Sequence, residues 1–434
     1  MLFNIFKSKS KPSAPKTAKG RGTSRVKHRQ DARMRTEKIT VDQLRIGMFV
    51  RELDIPWEQS TFMFQGVEIK SQQDILDVQR QCQHVWVDYT EYRLADTPEE
   101  ASTGSSAFNG KRSLLEVEEA YPKAKEAHKE TQGVVTQLFS DMRLGGEIDV
   151  DRVKQSIHTS VESIKRNPDA SIWLTRLHEK DNLTAQHVLN VAALSIITGR
   201  ALNLSQSALE NLGVCALMHD IGKTLLPLEL INRRGGECND VERGLLRTHP
   251  QLGHDILSKT KNMYEGAAAV ALTHHEHVDG SGYPRNLKGD DIPEFARIIA
   301  IANAYDNLTS TLINPDAISP TEALDHLYAQ RGKQFDDRLV LKFIDGISIF
   351  PPGSIVEMTN GEVGIVLSTT QEKLNPRVII ILDSAKDATA QQMVDLSQMH
   401  ADANGEPYRI KTTLADGSYG IVVDEFQRAG LRLG

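Results

Sequence analysis

The spacing of hydrophobic positions changes along the chain, and each change marks a different kind of element. "KITVDQLRIGMFV" and "HVWVDY" alternate apolar and polar residues at period two, while "SQQDILDVQRQC" between them keeps helical spacing. A small α+β domain is therefore predicted over residues 36–96. From residue 113 the period becomes helical. Charged residues mix with Leu114, Leu115 and Val117, which predicts a helical connector over 113–168, with helices at 113–142 and 150–164. From 169 to 350 helix follows helix, broken by short Gly, Asn or Pro stops and without a strand pattern, so an all-α domain is expected. Beyond "FPPGS" period two returns. "IVEMTNGEVGIVL" places Asn360-Gly361 between two alternating apolar runs, a hairpin signal; "RVIIILD" is a further strand, and "LADGSYGIVV" offers a second Asp-Gly turn. Residues 351–434 read as a small β-rich module capping the helical domain.

Two stretches lack any period. Residues 1–35 are dense in Lys, Arg, Ser, Thr and Pro, too poor in large apolar groups to offset the entropy of ordering, and read as a disordered basic arm. Leu2, Phe3, Ile5 and Phe6 beside those cations suggest contact with an anionic membrane surface, but a solvated tail is the simpler reading. Residues 97–112, rich in Ser, Thr, Gly and acids, read as a linker.

Composition narrows the class. A chain of 434 residues, 39% hydrophobic and 25% charged, fits a soluble protein of several domains. Its net charge of −7 speaks against a nucleic-acid polymer as partner. No stretch has transmembrane length, and Cys82, Cys215 and Cys238 form neither a disulfide framework nor a CxxC knuckle, so a cytoplasmic location is expected. Nothing in the pattern specifies an oligomeric state.

The chemistry gathers in the all-α region. His187 lies at the start of the apolar run "HVLNVAALSII", and His219 and Asp220 end "LENLGVCALMHD". His249 stands in "THPQLGHDIL", and His274 and His275 follow "AAAVALT". Each borders a run of core-forming residues and so is expected to point inward from the end of a buried helix. Neutral imidazoles converging with a carboxylate in a helical bundle make a metal site. Hard oxygens suit iron, manganese or magnesium, and no thiolate is present to select structural zinc. Five imidazoles and a carboxylate exceed the needs of one four-coordinate ion. Two divalent ions are expected, bridged by Asp220, with a hydroxide formed on them as the nucleophile.

"HDIGK" at His219 to Lys223, with "HHEHVDGSGYP" at His274 to Pro284, resembles the HD-GYP family, a group of HD-domain phosphohydrolases that hydrolyse the bacterial messenger cyclic di-GMP. The resemblance runs from about Ala170 to Ile349, and "KITVDQLRIGMFVRELDIPW" is similar to an accessory domain that often precedes such domains. It implies a multi-domain chain built around an all-α HD-type bundle. It further implies His187, His219, Asp220, His249, His274 and His275 as metal ligands, Lys223 on a substrate phosphate, and a Gly282-Tyr283-Pro284 loop shaping the substrate pocket. Glu276 is expected to orient an imidazole, Asp279 to orient a histidine or hold the loop, and His277 to be a bystander.

Three departures bear on function. Trinuclear members carry Glu four residues before the first ligand histidine; Leu183 here implies a binuclear centre. The family's "IADxxDALTS" helix reads "IANAYDNLTS", which puts Asn303 at a ligand position, with Asp306 one turn on as a candidate substitute. The family's Arg-Pro-Tyr segment is missing from "TLINPDAISP", leaving Arg285 and Arg297 as candidate phosphate cations. The leading reading is a phosphodiesterase opening cyclic di-GMP to pGpG, with GMP as the alternative end product. The competing readings are a catalytically weakened module that binds cyclic di-GMP or a protein partner, and an HD enzyme acting on another phosphoester. The N-terminal domain is a candidate contact for other signalling proteins.

Overall fold

A computed structural model describes residues 35–44, 49–55, 67–69, 72–89, 114–176, 183–231, 238–311, 314, 316–370, 372–398, 405 and 408–423. The expected basic arm and the linker at 97–112 lie outside the described residues, apart from Arg35. The chain divides into two units between Ala107 and Phe108.

In the first unit, strands β1 (Arg35–Thr40), β2 (Phe49–Leu53), β3 (Val67–Glu68) and β4 (His84–Tyr89) form an antiparallel sheet in the order β1-β4-β2-β3. Helix α1 (Gln72–Gln79) lies between β3 and β4 in the chain. Alternation sends Val85 and Val87 of β4 inward, where they meet Val50 and Leu53 of β2 and Ile75 and Val78 of α1. Cys82 is buried in the same core, and burial pushes its thiol up to about 11.

The second unit is a helical bundle with a β module. Its helices are α2 (Leu114–Arg143), α3 (Val150–Arg166), α4 (Pro168–Thr175), α5 (Leu183–Ala201), α6 (Gln206–Met218), α7 (Leu228–Ile231) and α8 (Asp240–Leu246). They continue as α9 (His249–Leu257), α10 (Gly266–Thr273), α11 (Glu294–Thr309), α12 (Pro320–Ala329) and α13 (Asp337–Ile347). Among the described residues none of these is long and apolar enough to cross a membrane. Helices α5, α6 and α10 are buried nearly all round, as their unbroken apolar runs require. The 113–168 segment is more than a connector. Val135, Leu138 and Phe139 of α2 and Val153, Ile157 and Val161 of α3 belong to the same core as α5, α6 and α11.

Strands β5 (Ile355–Met358), β6 (Val363–Ser368), β7 (Arg377–Leu382), β8 (Ala388–Asp395) and β9 (Ile410–Leu414) form an antiparallel sheet ordered β8-β7-β6-β5-β9. The Asn360-Gly361 pair does join β5 to β6. Every residue of β6 is buried, because the sheet has cores on both faces. One of them includes Trp173 of α4, whose indole Nε1–H donates to the Leu367 carbonyl at 2.8 Å. Asp169, also on α4, accepts from the Thr369 N–H at 2.9 Å. The module is thus joined to the bundle by core packing and buried hydrogen bonds.

Candidate metal centre

The ends of four helices converge on Asp220. His219 caps the C-terminus of α6, Asp220 starts the 3-10 turn Ile221–Leu225, His249 begins α9 and His274 caps α10. The last carbonyls of a helix have no partner inside it. Here the imidazoles supply one: Nδ1–H of His219 donates to Ala216 O at 2.6 Å, that of His249 to Leu246 O at 2.6 Å, and that of His274 to Ala271 O at 2.8 Å. His187, inside α5, instead donates from Nδ1 to Asp306 Oδ2 at 2.7 Å. In all four rings the proton is therefore held on Nδ1, which leaves the Nε2 lone pair free.

Those lone pairs are divided between the two oxygens of one carboxylate. Oδ2 of Asp220 lies 3.8 Å from His187 Nε2 and 3.4 Å from His219 Nε2. Oδ1 lies 3.2 Å from His249 Nε2 and 3.7 Å from His274 Nε2. Two donor groups result, Asp220 with His187 and His219, and Asp220 with His249, His274 and His275. The chemistry of the set calls for cations. His249 Nε2 and His274 Nε2 face each other at 3.2 Å, although both are acceptors once Nδ1 holds the proton. His219 Nε2 and Asp220 Oδ1 are buried with no hydrogen-bond partner.

Charge follows the same logic. Burial would raise the Asp220 pKa, but opposing charge, Lys223 foremost, holds the carboxyl well below its usual range. Burial first, then the neighbouring imidazoles, holds His274 and His275 well below the usual histidine range, so both stay neutral and able to donate a lone pair. Lys223 Nζ sits 2.5 Å from Asp220 Oδ2.

The backbone makes room for this convergence at Gly222. A Cβ there would lie 2.0 Å from the His249 carbonyl oxygen and 2.5 Å from the Gly253 nitrogen, so the turn after Asp220 rests directly on α9. Gly282 is similarly confined: its Cβ would meet the backbone of His277 and Glu276 at 2.3 and 2.5 Å.

Several expectations need correction. Glu276 orients no imidazole; its buried carboxylate accepts from the backbone N–H groups of Arg285 at 2.6 Å and Leu287 at 3.1 Å, pinning the loop. Asp279 accepts from the Ser281 N–H at 2.8 Å, the loop-holding option. Asp306 does not replace a ligand at position 303. Its oxygens are taken by His187 and, at 2.8 Å, by Asn190 Nδ2. Asn303 is buried with its Oδ1 accepting from Asn307 at 2.8 Å. Arg297 is no spare cation, being held by Asp290 at 3.0 Å and Asp336 at 2.6 Å. Pro284 and Arg285 are exposed beside the buried Gly282. His277 bonds Ser281 Oγ at 2.9 Å. Tyr283 stacks on His275, ring centroids 4.7 Å apart and planes 14° apart, and burial raises its phenol pKa, so it remains protonated.

Two residues beside the cluster escape sequence reasoning. Asn190 lies one helical turn from His187, a spacing that would have flagged it. Arg247 stands two residues before His249, with its guanidinium carbon 5.0 Å from the Tyr283 ring centroid.

Residues 167–339 match the HD domain family, and residues 36–153 match a domain of unknown function, DUF3391. The chain is 31% identical over 373 residues to the cyclic di-GMP phosphodiesterase PA4108 of Pseudomonas aeruginosa, covering 83% of this chain and 89% of that protein. It is 34% identical over 168 residues to the cyclic di-GMP phosphodiesterase response regulator RpfG of Xanthomonas campestris, covering 38% of this chain and 44% of that one. Among solved structures, Bd1817, an HDG"Y"P protein from Bdellovibrio bacteriovorus, aligns with 72% of this chain and 99% of its own at a TM-score of 0.45 and 18% identity.

Proposed function

Because this chain belongs to the HD-GYP family of HD-domain phosphodiesterases, we propose that it hydrolyses cyclic di-GMP to pGpG, and onward to GMP, at a binuclear centre built on Asp220. The observation that carries the reading is the division of the Nε2 lone pairs between Oδ2 and Oδ1 of that carboxylate. His187 and His219 would hold one ion and His249, His274 and His275 the other, with Asp220 shared. Iron or manganese suits this mixed nitrogen and oxygen set, with magnesium as a further option. When bound, the ions supply Lewis acidity toward the phosphoryl oxygens and lower the pKa of a water.

The remaining roles belong to the chain. Water adds to phosphorus as one P–O3′ bond breaks, giving a linear dinucleotide with a 5′-phosphate. Lys223, placed on Asp220, contributes a cation to the phosphate that reacts. Gly282 lets the loop pack close to the donors, the protonated Tyr283 borders the pocket with a hydroxyl able to donate, and Pro284 and Arg285 form its exposed rim.

The test loads purified protein with manganese or iron and follows pGpG by chromatography. Hydrolysis is expected, with two ions per chain. Asp220→Ala should lose metal and at least about a thousandfold in rate, as expected when a shared ligand to the metals is removed. Tight binding of cyclic di-GMP by the parent protein without product would refute the enzymatic reading.

A further inference from the structure

A cyclic dinucleotide carries two phosphodiesters, and the donor cluster with Lys223 accounts for one. Of the two arginines expected from the sequence as phosphate cations, Arg297 is neutralised by Asp290 and Asp336, and Arg285 is exposed with its backbone N–H held by Glu276. Arg247 is placed differently. It is exposed, and among the described residues no carboxylate pairs with it, whereas Arg243 one turn earlier is tied to Asp240.

Both supports of this guanidinium are fixed to the donor cluster. On the chain side, the Leu246 carbonyl, in the peptide that leads into Arg247, accepts from His249 Nδ1 at 2.6 Å. On the ring side, the guanidinium lies over Tyr283, 5.0 Å from its centroid, and Tyr283 stacks on His275 at 4.7 Å. The Tyr283 loop is in turn clamped by Glu276 through the N–H groups of Arg285 and Leu287. A planar, permanently charged fork is therefore held one aromatic ring away from a donor imidazole, with its N–H groups uncommitted to any carboxylate among the described residues.

We propose that Arg247, seated on Tyr283, holds the second, non-reacting phosphodiester of a cyclic dinucleotide and so makes the site selective for substrates with two phosphates. The proposal rests on the cyclic dinucleotide reading above. A charge-assisted hydrogen bond to phosphate is lost with the side chain, so Arg247→Ala should raise KM for cyclic di-GMP about tenfold to a hundredfold. Turnover number should change little, because the contact is equal in the ground and transition states.

The experiment compares the full-length parent, Arg247→Ala and Arg247→Lys, loaded with manganese, on cyclic di-GMP and on bis(p-nitrophenyl) phosphate, which has a single phosphodiester. Support is a KM effect confined to cyclic di-GMP, partly restored by lysine, with metal content equal to the parent. Equal losses on both substrates would mean that Arg247 only props Tyr283, and no change on either would mean that it touches no substrate; both overturn the proposal while leaving the proposed function standing. A parent that hydrolyses the simple diester but not cyclic di-GMP overturns the substrate reading and this proposal with it.

Discussion

Asp306 illustrates how one residue acts on the site through another. Its carboxylate accepts from His187 Nδ1 and from Asn190 Nδ2, fixing both the tautomer and the angle of the imidazole that faces Asp220. Asp306→Asn removes the charge and sets two amide groups against each other at Asn190. Metal affinity should fall about tenfold to a hundredfold, the usual cost of losing such a partner, with little change in the circular dichroism spectrum. Chelator competition measures this, and parental affinity in the variant would show that His187 needs no such support. The histidines that converge on Asp220 stand out in the sequence because polar residues bordering apolar helical runs are rare and their types announce the chemistry. Glu276 was misread for a physical reason: its partners are backbone N–H groups nine and eleven residues away, and no side-chain pattern records a backbone donor.

Helices were easier to read than strands. Helix α8 has no buried residue and yet forms, because a capping box closes its start: Asn239 and Glu242 exchange side-chain to backbone hydrogen bonds at 3.0 Å. Strand β8 is hidden in the sequence because its first six residues are exposed, as befits an edge, and none before Met393 is a large apolar residue that would mark a period of two. Helix α2 carries a titratable group among bundle residues. Burial pulls the His128 imidazole down to about 4, from the ~6.5 of an exposed histidine. The folded protein thus binds fewer protons there than the unfolded chain. Its contribution is fully present above about pH 6.5, is lost as the pH falls, and levels off below about 4. Melting temperatures of the parent and His128→Leu should diverge over that window, the variant losing less on acidification. Parallel curves would mean that His128 is solvated in the folded state.

At the scale of the molecule, the bundle and the β module share structure that their different periodicities concealed. Trp173 belongs to α4 by position and to the core of the sheet by packing, a long-range contact that no local pattern reports. The two should therefore open together. Trp173→Ala is expected to cost about 3–5 kcal/mol. Hydrogen exchange should show α4 and β6 losing protection as one unit; release of β6 alone, with α4 still protected, would separate them.

The sharing of Asp220 between two sets of imidazoles has a consequence for the electric field of the protein. Its donor groups contain one carboxylate among imidazoles, so they bring far less negative charge than the two divalent ions proposed for them. Lys223 adds to the positive side. A filled centre is then a cationic pit in a chain whose net charge is −7. An approaching dianion meets repulsion from the surrounding surface and attraction at the mouth, each acting only within about the 8–10 Å over which physiological salt leaves charges unscreened. The protein as a whole discourages anions, and the shared carboxylate makes one place where they are welcome.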